Sequence, residues 1–390
     1  MVDYKKKPIV LYVTHYSELL GANRSLLSVV IAVKNKLCFE PVVLVPLYGA
    51  LTKELEAYGI KYYVCHFRAS TFDRKNLFDV MKGWLREVIN ISCALYFFYK
   101  FRNLNIALVH SNSSVLNVGA YLSVLLRVPH IWHFREFVKQ HFHWSYNWGD
   151  SYQYWLYAKC SDYIVVISKS LGEYYKEKLS KTNIALIYNG VDIKYYACLS
   201  DEKAIFNIAL VGIISPGKHQ DIAIRAVAKL VNEYKIRNIH LHILGAFSED
   251  QSYEKLIKRL IAESGILRNV SLHGYCNNVS EHLAKCKIGV LASEYEAFGR
   301  VTIEYMLSRL VPVVSNSGAN IEIIRDGENG MIFELNNVEQ LCEKILHLFN
   351  SPQLIATLSE RAQLEARSKY TVEKNVEHIM NLYEFVCEKM

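Results

Sequence analysis

Short apolar runs rich in β-branched residues alternate with amphipathic stretches, and this alternation limits the fold more than any other feature of the chain. The stretches at 24–34 and 115–127 have the period of helices, and the runs have the length of buried strands. The alternation predicts parallel sheets covered by helices on both faces, with right-handed connections. In the first half, strands are predicted at 9–13, 41–46, 61–65, 106–110, 130–133, 163–168 and 185–188.

The same pattern starts again in the second half. A run at 206–211 ends at Gly212 and precedes an amphipathic stretch at 221–232. The intervening segment, 194–204, has no periodicity and contains three consecutive charged residues, so we place a domain boundary within it. Further strands are predicted at 240–244, 270–273, 288–291 and 312–315.

The chain length of 390 residues exceeds that of one ordinary domain, and the sequence predicts three parts. These are an N-terminal domain at 1–196, a second domain at 197–370 and a C-terminal helix at 371–390. The hydrophobic fraction of 51% and the charged fraction of 21% allow sizeable cores. They exclude a disordered, collagen-like or coiled-coil chain.

Cysteine usage and apolar run lengths both bear on the compartment. The nine cysteines form no Cys-x-x-Cys pair, which predicts reduced, mostly buried thiols in a cytoplasmic protein. The longest candidate for a spanning helix, 88–99, has twelve residues, well below the roughly 18 that a bilayer requires. The apolar run at 9–13 is too short for a signal peptide, so neither a spanning helix nor a secretory leader is expected.

Positive charge is concentrated in the first half of the chain. Residues 1–196 carry 24 Lys and Arg against 14 Asp and Glu, a net charge of +10, whereas residues 197–390 carry 21 against 24, a net charge of −3. A basic surface can serve nucleic acid, anionic lipid or an acidic substrate, or it can simply be solvated. The basic residues are dispersed, which disfavours nucleic acid. Peripheral association at the inner face of an anionic cell membrane remains open.

Aromatic residues crowd two stretches of the N-terminal half. They can stack on sugar rings or anchor at membrane interfaces, although a hydrophobic subcore is at least as good an interpretation of the first stretch. The second stretch, 84–102, is apolar with basic ends; it could lie on a membrane surface, but a buried helix is the preferred interpretation. The first stretch contains Trp132, Phe134, Phe137, Phe142, Trp144, Tyr146, Trp148, Tyr152, Tyr154, Trp155 and Tyr157.

Two glutamates follow the predicted strand at 288–291. Glu296 lies in the loop after the strand, and Glu304 lies one turn into a helix predicted at 301–309. The start of that helix, near Gly299, exposes backbone N–H groups that can bind phosphate. Two carboxylates beside an anion site, at the ligand-binding edge of a parallel sheet, suit a sugar nucleotide. Two isolated glutamates would be explained more simply as solvated surface acids.

A longer motif surrounds these glutamates and resembles the donor site of the retaining family 4 glycosyltransferases. The block from Glu296 to Gly330 is specific, and the resemblance is weaker upstream, as far as Gly21. It implies the GT-B fold, in which two Rossmann-like domains face a central cleft and C-terminal helices return to the N-terminal domain. The matching positions are Asn189-Gly190-Val191-Asp192, Val211-Gly212, Lys218, Glu296, Phe298-Gly299, Glu304, Pro312-Val313-Val314, Gly318, Glu322, Asp326-Gly327 and Asn329-Gly330.

The resemblance implies a role for each matching side chain of the donor site. Glu304 would bind the ribose hydroxyls of the nucleotide, and Glu296 would bind hydroxyls of the donor sugar. Lys218 would neutralise the leaving phosphate, on which negative charge builds during transfer. A cation and preorganised amides can stabilise that charge without a metal. Because the chain also lacks an Asp-x-Asp pair, neither a metal nor a cofactor is expected.

Backbone groups have implied roles as well. The amides of Phe298, Gly299 and Arg300 would hold the diphosphate. Gly212 would lie beside the phosphates, and Gly21 would lie near the phosphates and the transferred sugar, although Gly21 is equally well explained as an ordinary turn residue.

One position departs from the family pattern. Ile213 follows Gly212 where the family usually has an Arg that grips the diphosphate. Arg300 stands where an apolar residue is usual. Arg300 or His219 could compensate for the missing cation, and the alternative is that Arg300 points to solvent.

Histidines near the ends of strands complete the candidates. His133 resembles the family's His near the donor sugar and is the leading functional histidine. His110 has two equally good interpretations, a role in the cleft or a structural hydrogen bond, and His15 remains open. Asn23 is predicted to cap the helix that follows the first strand.

The sequence therefore predicts a metal-independent hexosyltransferase, with Lys218, Glu296 and His133 as its catalytic residues. It would move a sugar from a nucleotide-diphosphate sugar to a saccharide or lipid-linked acceptor, in cell-surface polysaccharide synthesis; the resemblance implies retention of configuration. A non-catalytic partner subunit of the same fold is the alternative that Ile213 supports. A nucleotide-sugar epimerase is disfavoured by the Glu-Phe-Gly block and the lack of an obvious acid/base pair.

Overall fold

The computed structural model describes residues 7–36, 38–73, 77–140, 143–192, 205–248 and 250–388. Their contacts divide the chain into two compact units, one formed by residues 1–190 with 372–390 and the other by residues 191–371. The segment in which we placed the domain boundary, 194–204, lies outside the described residues.

The first unit is built on a parallel sheet of seven strands in the order β3-β2-β1-β5-β6-β8-β9. Its strands are β1 (Ile9–Val13), β2 (Glu40–Val45), β3 (Lys61–Val64), β5 (Ile106–Ser111), β6 (His130–Phe134), β8 (Tyr163–Val166) and β9 (Ile184–Leu186), and an antiparallel pair is formed by β4 (Thr71–Phe72) and β7 (Ser145–Tyr146). Its helices up to this point are α1 (Gly21–Lys36), α2 (Ala50–Ala57), α3 (Leu77–Phe101), α4 (Asn117–Leu126), α5 (Asp150–Cys160) and α6 (Lys169–Lys176).

Helices cover both faces of this sheet, as alternation along β1 shows. Val10 and Tyr12 pack into one apolar cluster with residues of α1, whereas Leu11 and Val13 pack into a second cluster on the other face. Phe97 of α3 belongs to the second cluster. Since neighbouring side chains of a strand point to opposite faces, a continuous apolar strand requires both faces to be covered.

The second unit repeats this architecture with six parallel strands in the order β12-β11-β10-β13-β14-β15. Its strands are β10 (Phe206–Val211), β11 (Ile239–Leu244), β12 (Val270–Leu272), β13 (Ile288–Leu291), β14 (Val311–Ser315) and β15 (Met331–Phe333). Its helices are α7 (Gln220–Asn232), α8 (Gln251–Glu263), α9 (Val279–Leu283), α10 (Arg300–Leu307), α11 (Asn320–Ile323), α12 (Val338–Phe349) and α13 (Pro352–Lys369). The two parallel sheets confirm the predicted α/β class.

The strand order of the second sheet determines where a ligand can bind. The chain proceeds outward from β10 through β11 to β12 and then returns to place β13 on the other side of β10. The loops that follow β10 and β13 therefore diverge at the carboxyl edge and leave a crevice, the usual ligand position in open α/β sheets.

The last helix, α14 (Val372–Glu388), belongs to the first unit although it follows the second in sequence. Val376, Ile379 and Tyr383 are buried in the cluster that also contains Val10. Asn375 Nδ2 donates to the carbonyl oxygen of Tyr188 at 2.6 Å. The preceding helix, α13, stays with the second unit, so the return is made by α14 alone.

The preferred interpretation of 84–102 as a buried helix is wrong for one face of α3. Cys93, Phe97 and Phe101 are buried, but Trp84, at 57%, is exposed. Apolar residues occupy more of the circumference of α3 than the rest of the first unit covers. Among the described helices, none has the length and apolar content to cross a membrane.

The aromatic stretch from Trp132 to Tyr157 forms a subcore for the most part. Trp132 and Tyr157 are fully buried, with ring centroids 4.6 Å apart, and donate to the carbonyl oxygens of Ser113 and Ser114 at 2.8 and 2.7 Å. Trp155 departs from this arrangement because 54% of it is exposed. Phe142 lies outside the described residues.

The cysteines of the described segments are free thiols. Cys286 and Cys342 are buried, Cys38 is exposed, and Cys198 lies outside the described residues. Burial raises the pKa of the Cys342 thiol to about 11, which keeps it protonated and unreactive.

Candidate functional site

The loops that follow β10 and β13 bring Lys218 and Glu296 together. Lys218 Nζ donates to Glu296 Oε2 at 2.9 Å, although 78 positions separate the two residues in the sequence. The two side chains are 26% and 16% exposed, so the pair is partly shielded from water. The structure thus unites the predicted phosphate cation with the predicted sugar carboxylate.

The loop that carries Lys218 is shaped by Gln220, which our sequence reasoning missed. Pro216–Lys218 forms one 3-10 turn. The fully buried Gln220 side chain accepts from the Ser215 amide at 3.4 Å and donates to the Ile213 carbonyl oxygen at 3.0 Å. Its position at the start of a helix was the available signal, because polar residues there commonly bond to loop backbone.

The loop that carries Glu296 is held by α11 and the residue before it. The Ala319 amide donates to the Glu296 carbonyl oxygen at 2.8 Å. Gly318 has φ +55°, and a Cβ on it would lie 2.3 Å from the same carbonyl oxygen. Only glycine allows this approach without a shift of the Glu296 backbone. Gly318 is therefore a support for the position of Glu296.

The N-terminus of α10 faces the same loop. Gly299 is its N-cap residue, with φ +76°, and has no side chain that could cap the helix. Glu296 Oε1 accepts from the Gly299 amide at 3.3 Å, so one of the three predicted diphosphate amides is already engaged. Phe298, which carries another of them, is buried. The N-terminus of a helix carries partial positive charge and suits an anion.

Glu304 is buried inside α10 and is paired with Arg300. Arg300 Nε donates to Glu304 Oε1 at 3.1 Å, and the Glu304 side chain is 10% exposed. Arg300 thus neither points freely to solvent nor pairs with the Glu296 carboxylate. It neutralises the carboxylate predicted to bind ribose and leaves Glu304 Oε2 with no hydrogen bond to Arg300.

Tyr305 fixes α10 to the sheet and was not singled out by sequence reasoning. Its hydroxyl accepts from the Val211 amide at 2.8 Å and donates to the Val290 carbonyl oxygen at 3.2 Å, so it joins β10 and β13. Complete burial raises the pKa of Tyr305. Gly289 makes room for the ring, since a Cβ there would lie 2.3 Å from it.

Position 213 supplies no cation to this site. Ile213 is 59% exposed, next to Gly212 with φ +148°. A Cβ at position 245 would lie 1.9 Å from the Gly212 carbonyl oxygen, which explains why residue 245 is a glycine. Lys218 is the cation that the structure places on Glu296.

His133 lies in the first unit, fully buried, in a network of hydrogen bonds. Arg135 Nη2 lies 3.3 Å from His133 Nδ1, and His110 Nε2 lies 3.2 Å from the same nitrogen. An Arg nitrogen can only donate, so Nδ1 accepts and the neutral ring carries its proton on Nε2. Burial, followed by the charge of Arg135, lowers the pKa of His133 well below its usual value.

His133 Nε2 is buried without a hydrogen-bond partner among the described residues. A buried N–H without a partner is costly unless a ligand completes it. The His133 ring therefore has a donor that is free to bond to an oxygen, and its contact with a sugar stays a prediction.

The structure shows the structural hydrogen bond considered for His110. His110 Nδ1 lies 2.7 Å from the Tyr383 hydroxyl of α14, and Tyr383 Oη lies 3.3 Å from Tyr12 Oη. Burial lowers the pKa of His110. Tyr383, in a region that showed only helical periodicity, gave no sequence signal for this contact.

Two predictions for the first loop have different outcomes. Gly21 is the exposed first residue of α1, with open space around it. The prediction that Asn23 caps this helix is wrong because α1 begins two residues earlier. Asn23 is buried, accepts from Thr14 Oγ1 at 2.6 Å and donates to the Tyr16 and Glu18 carbonyl oxygens, so it closes the loop after β1. His15, left open by the sequence, is largely buried, and burial lowers its pKa.

Comparison with known families decides the assignment. The family described as "Glycosyl transferases group 1" matches residues 201–365, and "Glycosyltransferase Family 4" matches residues 48–195. The chain belongs to the family 4 glycosyltransferases. The matches include both loops that meet at Lys218 and Glu296, and they confirm the resemblance drawn from the sequence.

Relatives of this glycosyltransferase come from several organisms. An uncharacterised glycosyltransferase of Methanocaldococcus jannaschii is 27% identical and aligns over 88% of this chain and 97% of its own. The poly(ribitol-phosphate) α-N-acetylglucosaminyltransferase of Staphylococcus aureus is 33% identical over 45% of this chain and 35% of its own. Among solved structures, HepE of Anabaena in complex with UDP has a TM-score of 0.80 and 20% identity, over 96% of this chain and 99% of its own.

Proposed function

We propose that this glycosyltransferase uses a nucleoside diphosphate sugar and transfers its hexose, with retention and without a metal, to a saccharide or lipid-linked acceptor. The single observation that carries the proposal is the pairing of Lys218 with Glu296 beside the N-terminus of α10. The two loops together then hold a cation, a carboxylate and a helix N-terminus that can bind an anion. This set of groups matches a diphosphate with a sugar on one side and a ribose on the other.

Lys218 would act on the leaving group. Its ammonium has three N–H bonds, of which one is directed to Glu296, so two remain for phosphate oxygens. During transfer the bond between the anomeric carbon and the phosphate oxygen breaks and a bond to the acceptor oxygen forms. The acceptor proton passes to the leaving phosphate oxygen, so the residues described need not act as a base. Lys218 and the α10 terminus stabilise the charge that develops there.

The carboxylates would act on hydroxyl groups. Glu296 holds Lys218 with one oxygen and faces the Gly299 amide with the other, and a sugar hydroxyl can add a further hydrogen bond to either oxygen. Glu304, one turn further along α10, would accept from the ribose. In the first unit, His133 Nε2 would donate to an oxygen of a bound saccharide.

The charge of the chain and the names of its relatives support a proposal for the acceptor and the location. The S. aureus relative acts, by its name, on poly(ribitol-phosphate), and a Campylobacter jejuni relative, 28% identical, acts on a diphospho-undecaprenol-linked sugar. An acidic polymer or a lipid-linked saccharide suits the basic first half of this chain. We therefore propose a role in cell-surface polysaccharide synthesis in the cytoplasm, at the inner face of the membrane.

A donor screen tests the function. Nucleoside diphosphate sugars that bind the native protein should raise its melting temperature by an amount that increases with their affinity and concentration. Donor hydrolysis and transfer to polyol-phosphate or polyprenol-diphosphate acceptors should then be measured separately, with NMR of the product's anomeric proton. Nucleotide binding without either reaction would identify a non-catalytic subunit, and a donor epimer as the product would identify an epimerase.

Removing divalent metal should leave both binding and transfer intact. The positive charge at the proposed phosphate site comes from Lys218 and α10. Within the described residues, no group of three or more His, Cys, Asp and Glu could hold a metal ion. Transfer should be assayed with EDTA and again after Mg²⁺ or Mn²⁺ is restored. Loss of transfer in EDTA, with recovery on metal addition and an unchanged melting temperature, would contradict the proposal.

Glu304→Gln should weaken nucleoside diphosphate binding by about tenfold or more, since a hydrogen bond to a charged group contributes roughly 1.5–3 kcal/mol. Inorganic diphosphate, which has no ribose, should bind the variant as it binds the parent. Calorimetric titration of both ligands measures the difference. The matched control is Glu328→Gln, an exposed acid of the same unit. Equal weakening for both ligands would assign Glu304 to the phosphates and not to the ribose.

A further inference from the structure

Helix α3 carries a long exposed apolar surface. We name as the α3 face the side chains of Leu77, Met81, Trp84, Val88, Leu95 and Tyr99. Their spacing of four, three, four, seven and four residues places them on one stripe of the helix. Each is 42–82% exposed, and Leu85, Phe78 and Tyr96 flank the stripe, also exposed. Scattered apolar residues are common on protein surfaces, but a continuous stripe along 25 residues marks an interaction site.

The exposed charged residues of α3 itself have one sign. At the exposed positions of α3, which is described throughout, the other residues are Lys82, Ser92 and Lys100. The acids of the helix lie elsewhere: Asp79 is half-buried, and Glu87 is buried, where it accepts from the Tyr121 hydroxyl at 2.6 Å. An apolar stripe whose helix exposes lysines as its charged residues is complementary to an apolar surface that carries negative charge.

The lysines are held beside aromatic rings. Lys82 Nζ lies 4.4 Å from the Phe78 ring centroid, and Lys100 Nζ lies 4.2 Å from that of Tyr63. The Arg102 guanidinium, just beyond the helix, lies 5.6 Å from the Tyr99 ring. Long basic side chains of this kind can bury their stems against apolar material while their charges reach the headgroup level.

A row of aromatic rings extends the α3 face towards α5. The centroid distances are 5.3 Å from Trp84 to Trp148, 5.0 Å from Trp148 to Tyr152 and 5.8 Å from Tyr152 to the exposed Trp155. Tryptophan and tyrosine concentrate at membrane–water interfaces because their rings are apolar and their N–H or O–H groups remain hydrated.

We propose that the α3 face docks on an anionic phospholipid surface, with α3 parallel to the membrane plane. At a rise of 1.5 Å per residue the helix is about 37 Å long, and its apolar stripe would enter the headgroup boundary while the lysines contact lipid phosphates. This inference does not depend on the donor site, which lies in the other unit.

Vesicle co-sedimentation tests the proposal. The full chain should bind vesicles of phosphatidylcholine mixed with phosphatidylglycerol, bind poorly to phosphatidylcholine alone, and lose part of its binding at high salt because screening weakens the lysine contacts. Trp84→Glu combined with Val88→Glu should lower the affinity for mixed vesicles by roughly a hundredfold. The double change removes two apolar side chains that would enter the membrane and adds two negative charges, which the anionic lipid repels. Lys82→Glu with Lys100→Glu should lower it by roughly tenfold.

The matched control replaces two leucines of the second unit that are more exposed than Trp84 and Val88, Leu267→Glu with Leu364→Glu, and should bind vesicles as the parent does. Melting temperature and nucleoside diphosphate affinity should be unchanged in every variant, which excludes unfolding. Failure of the parent chain to bind mixed vesicles, or equal loss in the control, would overturn the proposal. So would a parent dimer that the Trp84 and Val88 changes dissociate in the absence of vesicle binding, since a second copy would then be the occupant.

Discussion

Lys218→Ala should slow sugar transfer by about a hundredfold or more while nucleosides without phosphate still bind. The leaving phosphate gains charge in the transition state, so its cation contributes more to the rate than to ground-state binding. Removal of one preorganised contact of this kind costs on the order of 3–4 kcal/mol. The exposed Ile213 supplies no second cation at the matching position. Single-turnover transfer with saturating donor measures the effect directly.

Lys344→Ala is the matched control for this change. Lys344 belongs to the same unit, is 23% exposed and pairs with Asp326 at 2.8 Å, so it resembles Lys218 in burial and pairing but lies outside the two loops. Its loss should leave transfer intact. Arg300→Ala should chiefly affect nucleotide binding, because its guanidinium contacts Glu304. Turnover near that of the parent in Lys218→Ala would remove the residue from the site, and a rate for Arg300→Ala as low as that of Lys218→Ala would place Arg300 on the phosphates.

Gly318→Ala should abolish most of the transfer activity although position 318 bears no functional side chain. Its new Cβ would lie 2.3 Å from the Glu296 carbonyl oxygen and 2.8 Å from the Glu296 nitrogen, so the loop must move by several tenths of an ångström or more. Glu296 positions Lys218, and misplacement of reacting groups by about 1 Å can cost roughly a hundredfold. We expect a loss of that order in kcat and a small fall in melting temperature.

Gly327→Ala separates the collision from backbone strain. Gly327 also has a left-handed backbone, with φ +75°, but a Cβ there would meet nothing within 4 Å. Both substitutions carry the strain of a non-glycine residue in this region, about 1–2 kcal/mol. If the two variants lose activity equally, strain rather than displacement of Glu296 is the cause, and the assigned role of Gly318 is wrong.

The sequence predicted the strands well because apolar runs of four to six residues have few alternative positions in a parallel sheet. β1, β10 and β13 coincide with their predicted bounds. Loops after neighbouring strands meet at one edge, so the strand pattern alone was enough to place Glu296 at the carboxyl edge of the second sheet. The two-residue strands β4 and β7 and the three-residue edge strand β15 are too short to show a periodicity and were missed.

The supporting contacts were not predictable from periodicity. Periodicity indicates that Tyr305 and Tyr383 face a core. It does not show which group each hydroxyl bonds to, because the hydrogen-bond partners come from distant parts of the chain. Asn23 has the composition of a helix cap, but its side chain closes a loop instead. The apolar pattern of α3 was interpreted as buried because an exposed apolar stripe is rare, and sequence alone does not show how many faces of a helix its neighbours cover.

The return of α14 has a consequence for biosynthesis. A chain made from its amino end completes the sequence of the second unit before α14 emerges, yet Val376, Ile379 and Met380 belong to the core of the first unit. Domains made on the ribosome usually mature in chain order. In this protein the first unit to be translated must wait for the last helix, so its exposed core is the part of the nascent chain that most requires protection by chaperones.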